Sequence, residues 1–311
     1  MPEPRPAPWI KRILKGAMLL LIAGFWYGYV RRNWSDIRSA DLAANWWMVG
    51  ASGLFFLFGY VLMGSLWAPF LREMNGISLS LSRGFSVSAM SWLWRYVPGR
   101  IWAVASKAYL SADNTSQIAA VSISVAVESI WFQASGLLLA AGILPFYPQF
   151  DFLSGRMRLA AAAVVLSALV MVHPRVFTPA ANALLRLLHQ APLAVRPRYG
   201  AMLLLLLGYM SVFLIWSGGF VILAESLGRT TWPDFLPIAS IFTTAWTVGV
   251  LAVFAPAGLG VRDSLLAFAL SRFLSFSPSL IVALVVGSRL LTTLVEAVCF
   301  GFALAVSRKT H

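Results

Sequence analysis

The sequence has little sulfur and little imidazole: one cysteine, Cys299, and three histidines in 311 residues. A single cysteine cannot close an internal disulfide, and scattered histidines supply no metal-ligand spacing, so redox chemistry, a metal and any other cofactor are not expected. Charge is scarce as well. Charged residues make up 11% of the chain, against about 25% in a typical soluble domain, while 59% are hydrophobic. That balance excludes a water-soluble globule. Acids are the scarcest charges, with 11 Asp and Glu facing 24 Lys and Arg, a formal charge of +13. Nucleic-acid grooves need basic residues clustered on a wet face, so the expected anionic partner is instead a membrane-lipid headgroup. No nucleophile, base and orienting acid occur at recognisable spacing, and an enzyme is not expected.

What the chain has in abundance is long apolar runs. A hydrocarbon core about 30 Å thick asks for roughly 20 apolar residues per helix. Six runs are read as full spans: 16–30, Trp46–Pro69, Ile118–Ile143, Leu159–His173, Tyr199–Ala224 and Ser279–Val306. The first follows Lys11, Arg12 and Lys15 and ends in Phe25, Trp26, Tyr27 and Tyr29, an aromatic anchor that marks a retained span.

Two further stretches consist of apolar pieces separated by helix breakers. Gly84–Val97 and Ile101–Leu110 flank Pro98-Gly99-Arg100, and Phe235–Phe254 and Val261–Phe273 flank Pro256-Ala257-Gly258-Leu259-Gly260. Proline removes a backbone donor and glycine adds freedom, so both end a helix. Irregular backbone at membrane depth is tolerated only under cover of protein or water. Both stretches therefore predict broken helical hairpins, re-entrant or nearly so, with Pro98, Gly99, Pro256, Gly258 and Gly260 at the breaks.

Arg175, Arg186, Arg196 and Arg198 lie together without an acid, and Arg308 and Lys309 lie at the end. With basic segments inside, six spans place both termini on the cytoplasmic side. Span, broken hairpin and span occur over 46–143 and again over 199–306, and Val127-Glu128 with Phe132 is echoed by Val295-Glu296 with Phe300. The expected fold is an all-α integral membrane protein of six transmembrane helices plus two broken hairpins in an inverted repeat, a plan common among transporters. It forms one polytopic domain: an anchor span and loop (1–45), repeat 1 (46–143), a connecting span and basic loop (144–198) and repeat 2 (199–306).

Glu128 and Glu296 stand at predicted helix centres, where an ionised acid costs roughly 2.5–3.5 kcal/mol even on the lenient insertion scale. Something must offset that cost, either at a site or in a structural pairing. Arg289 lies two turns before Glu296, too far for a simple local pair, and is expected to bracket a polar group with it. Around the breaks, Arg95, Arg100, Lys107 and Arg262 suit an anionic group such as phosphate, aided by the helix that starts after each break. Asp263 opposes that reading unless Arg262 neutralises it. Trp46, Trp47 and Trp67 are expected to anchor at the interfaces.

Arg95-Tyr96-Val97-Pro98-Gly99-Arg100, Val127-Glu128-Ser129 and above all Pro256-Ala257-Gly258-Leu259-Gly260-Val261-Arg262-Asp263 resemble the flippase-like transmembrane region of bacterial lysylphosphatidylglycerol synthases. The likeness covers about 46–306, with Ala257 where a second glycine is common and Asp263 where glutamate is usual. It implies a stand-alone member without the aminoacyl-transferase domain, located in the bacterial inner membrane, that moves a lipid between leaflets. An anionic phospholipid or a polyprenyl-phosphate-linked glycolipid is the implied cargo, and enzymes of lipid synthesis are implied neighbours. The competing expectation is a scaffold or accessory subunit of a lipid or cell-envelope synthesis complex, with its acids paired inside packed helices and no cleft.

Overall fold

The computed structural model describes residues 24, 27, 28, 31, 35, 44–96, 101–112, 114, 117–143, 155–187, 197–227, 235–251, 258, 260–274 and 276–307. These residues form α1 (Trp46–Ser65), α2 (Trp67–Asn75), α3 (Leu81–Trp92), α4 (Ile101–Ser111), α5 (Ile118–Ile143), α6 (Gly155–Val172), α7 (Pro174–Leu187), α8 (Tyr199–Ser226), α9 (Phe235–Leu251), α10 (Val261–Leu274) and α11 (Pro278–Ser307). No strand occurs among them. Local chemistry sets several ends. Asn45 caps α1 by accepting from the amides of Trp47 and Met48, and Ser80 caps α3 through Arg83. Gly76, at φ 73°, closes α2 in the left-handed conformation that glycine adopts without strain. The step from α1 to α2 follows from Pro69, which has no N–H to offer the carbonyl of Ser65 four residues earlier.

Among the described residues, four helical stretches are long and apolar enough to cross a membrane: Trp46–Asn75, Ile118–Ile143, Tyr199–Ser226 and Pro278–Val306. They coincide with four of the six expected spans. Of the amino-terminal span only residues 24, 27 and 28 are described, and 159–172 falls in the 18-residue helix α6. The outer faces carry large apolar side chains such as Phe58, Leu204 and Phe302, 61%, 70% and 61% exposed, whereas seven charged residues are buried: Glu73, Lys107, Glu128, Arg262, Asp263, Arg289 and Glu296. A water-soluble core would reverse that distribution.

The centre of the fold is the pair α1 and α8. Asn45 N donates to Ser226 O at 2.8 Å, Ser52 Oγ to Gly219 O at 2.6 Å, and Trp216 Nε1 to Phe56 O at 3.2 Å, so the two helices run antiparallel. A Cβ added at Gly59 would sit 2.4 Å from the Trp216 ring, which shows how closely the backbones approach.

Exchanging α1 with α8, α3 with α9, α4 with α10 and α5 with α11 maps the packing of one half onto the other. Thus α3 packs on α11 as α9 packs on α5, α11 on α1 as α5 on α8, and the pairs α3–α4 and α9–α10 each pack on themselves. In the first pair, the Gly84 end of α3 meets Ala68, and Ser111 at the end of α4 accepts from Trp67 Nε1 at 2.9 Å, so both outer ends lie at one level of α2. The Arg95–Tyr96 end instead meets Thr293 and Glu296 of α11. In the second pair, the break end meets the middle of α5 and α11: Gln133 Nε2 donates to Thr247 O at 3.0 Å and Arg289 Nη2 to Gly258 O at 3.3 Å. Because α1 and α8 are antiparallel, the chain enters the two pairs from opposite ends of the bundle.

Candidate functional site

Pro98, Gly99, Arg100 and Pro256 lie outside the described residues. Gly258 and Gly260 have φ of 68° and 81°, a region that strains an L side chain. At Gly258 there is also no room, since an added Cβ would lie 2.7 Å from the Gly249 carbonyl oxygen. These two glycines bring the start of α10 against α9.

Apart from Glu73, which accepts from Arg198 Nη2 at 2.7 Å, the buried charges gather into two clusters. In the first, Lys107 of α4 donates to Glu128 Oε2 of α5, and Tyr209 of α8 donates to Glu128 Oε1 at 2.9 Å. The Lys107 ammonium also lies 4.1 Å from the centre of the Trp67 ring. In the second, Glu296 of α11 accepts from Tyr60 of α1 at 2.5 Å and from Tyr96 at 3.0 Å, and Arg95 Nη2 stands 3.2 Å from its Oε1. That last approach is a charge contact, because Nη2 makes no aligned hydrogen bond. Each glutamate thus receives a tyrosine from the opening helix of the other half, a crossed arrangement that follows the exchange of α1 with α8 and α5 with α11.

Beside Glu296, Arg289 Nε donates to Asp263 Oδ1 at 2.8 Å, and Gly260 N donates to Asp263 Oδ2 at 3.2 Å. Asp263 is therefore neutralised by Arg289, not by Arg262. The Arg262 guanidinium lies over Trp246 at 4.0 Å and Phe242 at 5.3 Å.

Two openings run through these clusters. A cleft of about 430 Å³ is lined by Lys107, Glu128, Gln133, Tyr209 and Arg95 among apolar side chains including Met63, Val104, Ile130 and Phe132. A smaller cavity of about 30 Å³, room for about two waters, is lined by Arg95, Arg262, Arg289, Glu296, Tyr96 and Thr292. Arg95, Trp246 and Val250 line both, so the two meet there. α3, α4, α5 and α9 wall the large cleft, and α9, α10 and α11 the small cavity.

Of the residues singled out in the sequence, Arg95, Arg262, Arg289 and Glu296 come together at the small cavity, and Lys107 and Glu128 at the large cleft. Arg289 and Glu296 find different partners, Asp263 and Arg95. Lys107 is committed to Glu128, which removes it as an uncompensated phosphate attractor. Trp67 is fully buried against Lys107 and Ser111, so it is not an interfacial anchor, whereas Trp46 and Trp47 are 77% and 90% exposed. Sequence reasoning missed Tyr60, Tyr209 and Trp246. The available signal was a phenol or indole in an apolar run, whose polar atom needs a partner once buried. Among the described residues, no group of three or more His, Cys, Asp or Glu could hold a metal ion.

No curated protein and no solved structure matches the chain. The family model for the lysylphosphatidylglycerol synthase transmembrane region matches residues 12–299, and with nearly the whole sequence covered, the chain belongs to that family.

Proposed function

We propose that this protein is a lipid flippase, built from inverted repeats and non-enzymatic, that carries the headgroup of an anionic phospholipid or a polyprenyl-phosphate-linked lipid between the leaflets of a bacterial inner membrane. The supporting observation is the amphipathic cleft of about 430 Å³, where Lys107–Glu128 and Arg95 share the lining with apolar side chains. Such a lining suits a polar headgroup whose chains stay in hydrocarbon. The antiparallel α1–α8 pair and the crossed tyrosine–glutamate bonds support an inverted repeat, with six spans, two re-entrant pairs and both termini in the cytoplasm. In that reading the wide cleft and its narrow counterpart are the two faces of one passage, which widen in turn as the repeats exchange conformation. The rival reading, a scaffold, accounts for paired acids but not for a cleft of this size.

The test is dithionite quenching of nitrobenzoxadiazole-labelled phosphatidylglycerol in phosphatidylcholine vesicles containing the purified protein. Wild-type protein is expected to expose the inner-leaflet lipid. Glu128→Gln and Glu296→Gln, each of which breaks a charge-assisted bond, are expected to slow this about tenfold or more. Wild-type rates from both folded variants would remove these glutamates from the passage, and inert wild-type protein would favour the scaffold.

A further inference from the structure

Charge does not balance around the small cavity. Three cations line it, Arg95, Arg262 and Arg289, against one acid, Glu296. Arg95 stands 3.2 Å from Glu296, and Arg289 donates to Asp263 at 2.8 Å. Arg262 is left without a carboxylate. It forms no ion pair among the described residues, and the residues of the break that lie outside them, 252–257 and 259, contain no acid. It is nevertheless only 4% exposed. Its guanidinium lies over the Trp246 ring at 4.0 Å, which offsets part of the desolvation of a cation but supplies no negative charge. The backbone adds to the excess, because Arg262 is the second residue of the 14-residue helix α10 and sits at its positive end. A buried charge is normally paired, and an unmatched guanidinium inside a membrane-spanning bundle calls for a counter-ion within reach.

We infer that the small cavity is a binding site for one monatomic anion of the halide class, chloride in a cell, which completes the charge balance left open by Arg262. Charge and size both point there. Three arginines against Glu296 and Asp263 leave a net charge of +1, which one monovalent anion cancels. At about 30 Å³ the cavity has room for about two waters, enough for a chloride ion and too little for sulfate, phosphate or an organic acid. Nε and Nη2 of Arg262 are sealed inside the protein without a partner. The parallel two-oxygen grip that an oxyanion would need on that edge is therefore closed. A spherical ion needs no such grip, since it is held by the summed charge of the wall at short range and low dielectric. The ion would stand as the third acid of the cluster, one for each arginine.

The experiment measures thermal unfolding of the purified full chain in detergent, in sodium chloride, bromide, sulfate or gluconate at equal ionic strength. Wild-type protein is expected to unfold about 5 °C higher in chloride or bromide than in gluconate, the shift given by a single-site ligand at a hundredfold excess over its dissociation constant. Sulfate is expected to behave as gluconate does. Arg262→Gln removes the charge to be matched and should unfold at one temperature in all four salts. Thr292→Asp, which sets a carboxylate in the cavity wall, should also ignore the anion, and in gluconate should be as stable as wild-type protein in chloride. Arg272→Gln, at an exposed position on the same helix, should keep the wild-type response. Should Arg262→Gln fail to fold, Thr292→Asp and the wild-type salt series still decide. A chloride response that survives Thr292→Asp would overturn the site. So would a wild-type chain indifferent to the exchange of chloride for gluconate, and so would sulfate acting as strongly as chloride, the mark of a general salt effect. No lipid enters the measurement, so the site stands or falls apart from the transport reading above.

Discussion

Removing the charge of Lys107 tests whether the first cluster is a functional element or only an interior brace. Lys107 and Glu128 are 8% and 7% exposed, so Lys107→Met leaves a buried carboxylate held by Tyr209 alone. Breaking a buried pair from one side costs about 3–5 kcal/mol, and at roughly 2 °C per kcal/mol for a large chain the unfolding temperature should fall by about 6–10 °C. Glu128→Gln should cost less, because the stranded ammonium keeps the Trp67 ring at 4.1 Å, and cation–π attraction in a dry site is worth about 2 kcal/mol. The double variant Lys107→Met/Glu128→Gln strands no charge and should recover most of the loss. Thermal unfolding in detergent, read by size-exclusion chromatography after heating, gives all three values. A double variant that loses the sum of the single effects would refute the pairing. The same proteins in the vesicle assay then separate the roles: stability recovered without lipid movement marks a site, and recovery of both marks a brace.

Three further outcomes follow from the packing. Gly59→Ala should destabilise by about 1–3 kcal/mol, because its Cβ would fall 2.4 Å from the buried Trp216 ring, whereas Gly50→Ala on the same helix meets nothing within 4 Å and should be neutral or stabilising in the same thermal assay. Gly258→Ala combines positive φ with a 2.7 Å clash and should unfold at a much lower temperature than Gly260→Asn, which has open space and a residue that tolerates this conformation. Tyr60→Phe removes the 2.5 Å bond to Glu296 and should cost about 1.5–3 kcal/mol, and an unfolding temperature equal to wild type would refute a stabilising role for that bond.

The long apolar runs and the glycine-rich second break were legible because both signals are local: twenty apolar residues in a row, and glycine where only positive φ fits. The echo of Val127-Glu128 and Val295-Glu296 likewise marked two buried acids, each of which accepts from a tyrosine, Tyr209 and Tyr60. Partnership was not legible, because each partner lies on a helix distant in sequence. Arg289 and Glu296 share a helix, yet the first bonds Asp263, 26 residues away, and the second Tyr60, 236 away. Trp67 looks like an anchor by its place at the end of an apolar run. Only the return of α4, which sets Ser111 and Lys107 beside it, draws it inside. Tyr60 and Tyr209 carry no pattern of their own, and their roles emerge when α1 and α8 cross the glutamates of the opposite half.

The seam between α1 and α8 limits how such a molecule can move. With glycines at the crossing and side chains hydrogen-bonded to main-chain carbonyls across it, pulling the two helices apart would strand the Ser52 hydroxyl and the Trp216 indole N–H in a dry interior. Sliding and parting are therefore the expensive motions, and tilting about the seam is the cheap one. In the transport reading proposed above, the pair is the axle, and the short helices on either side are the parts that must swing.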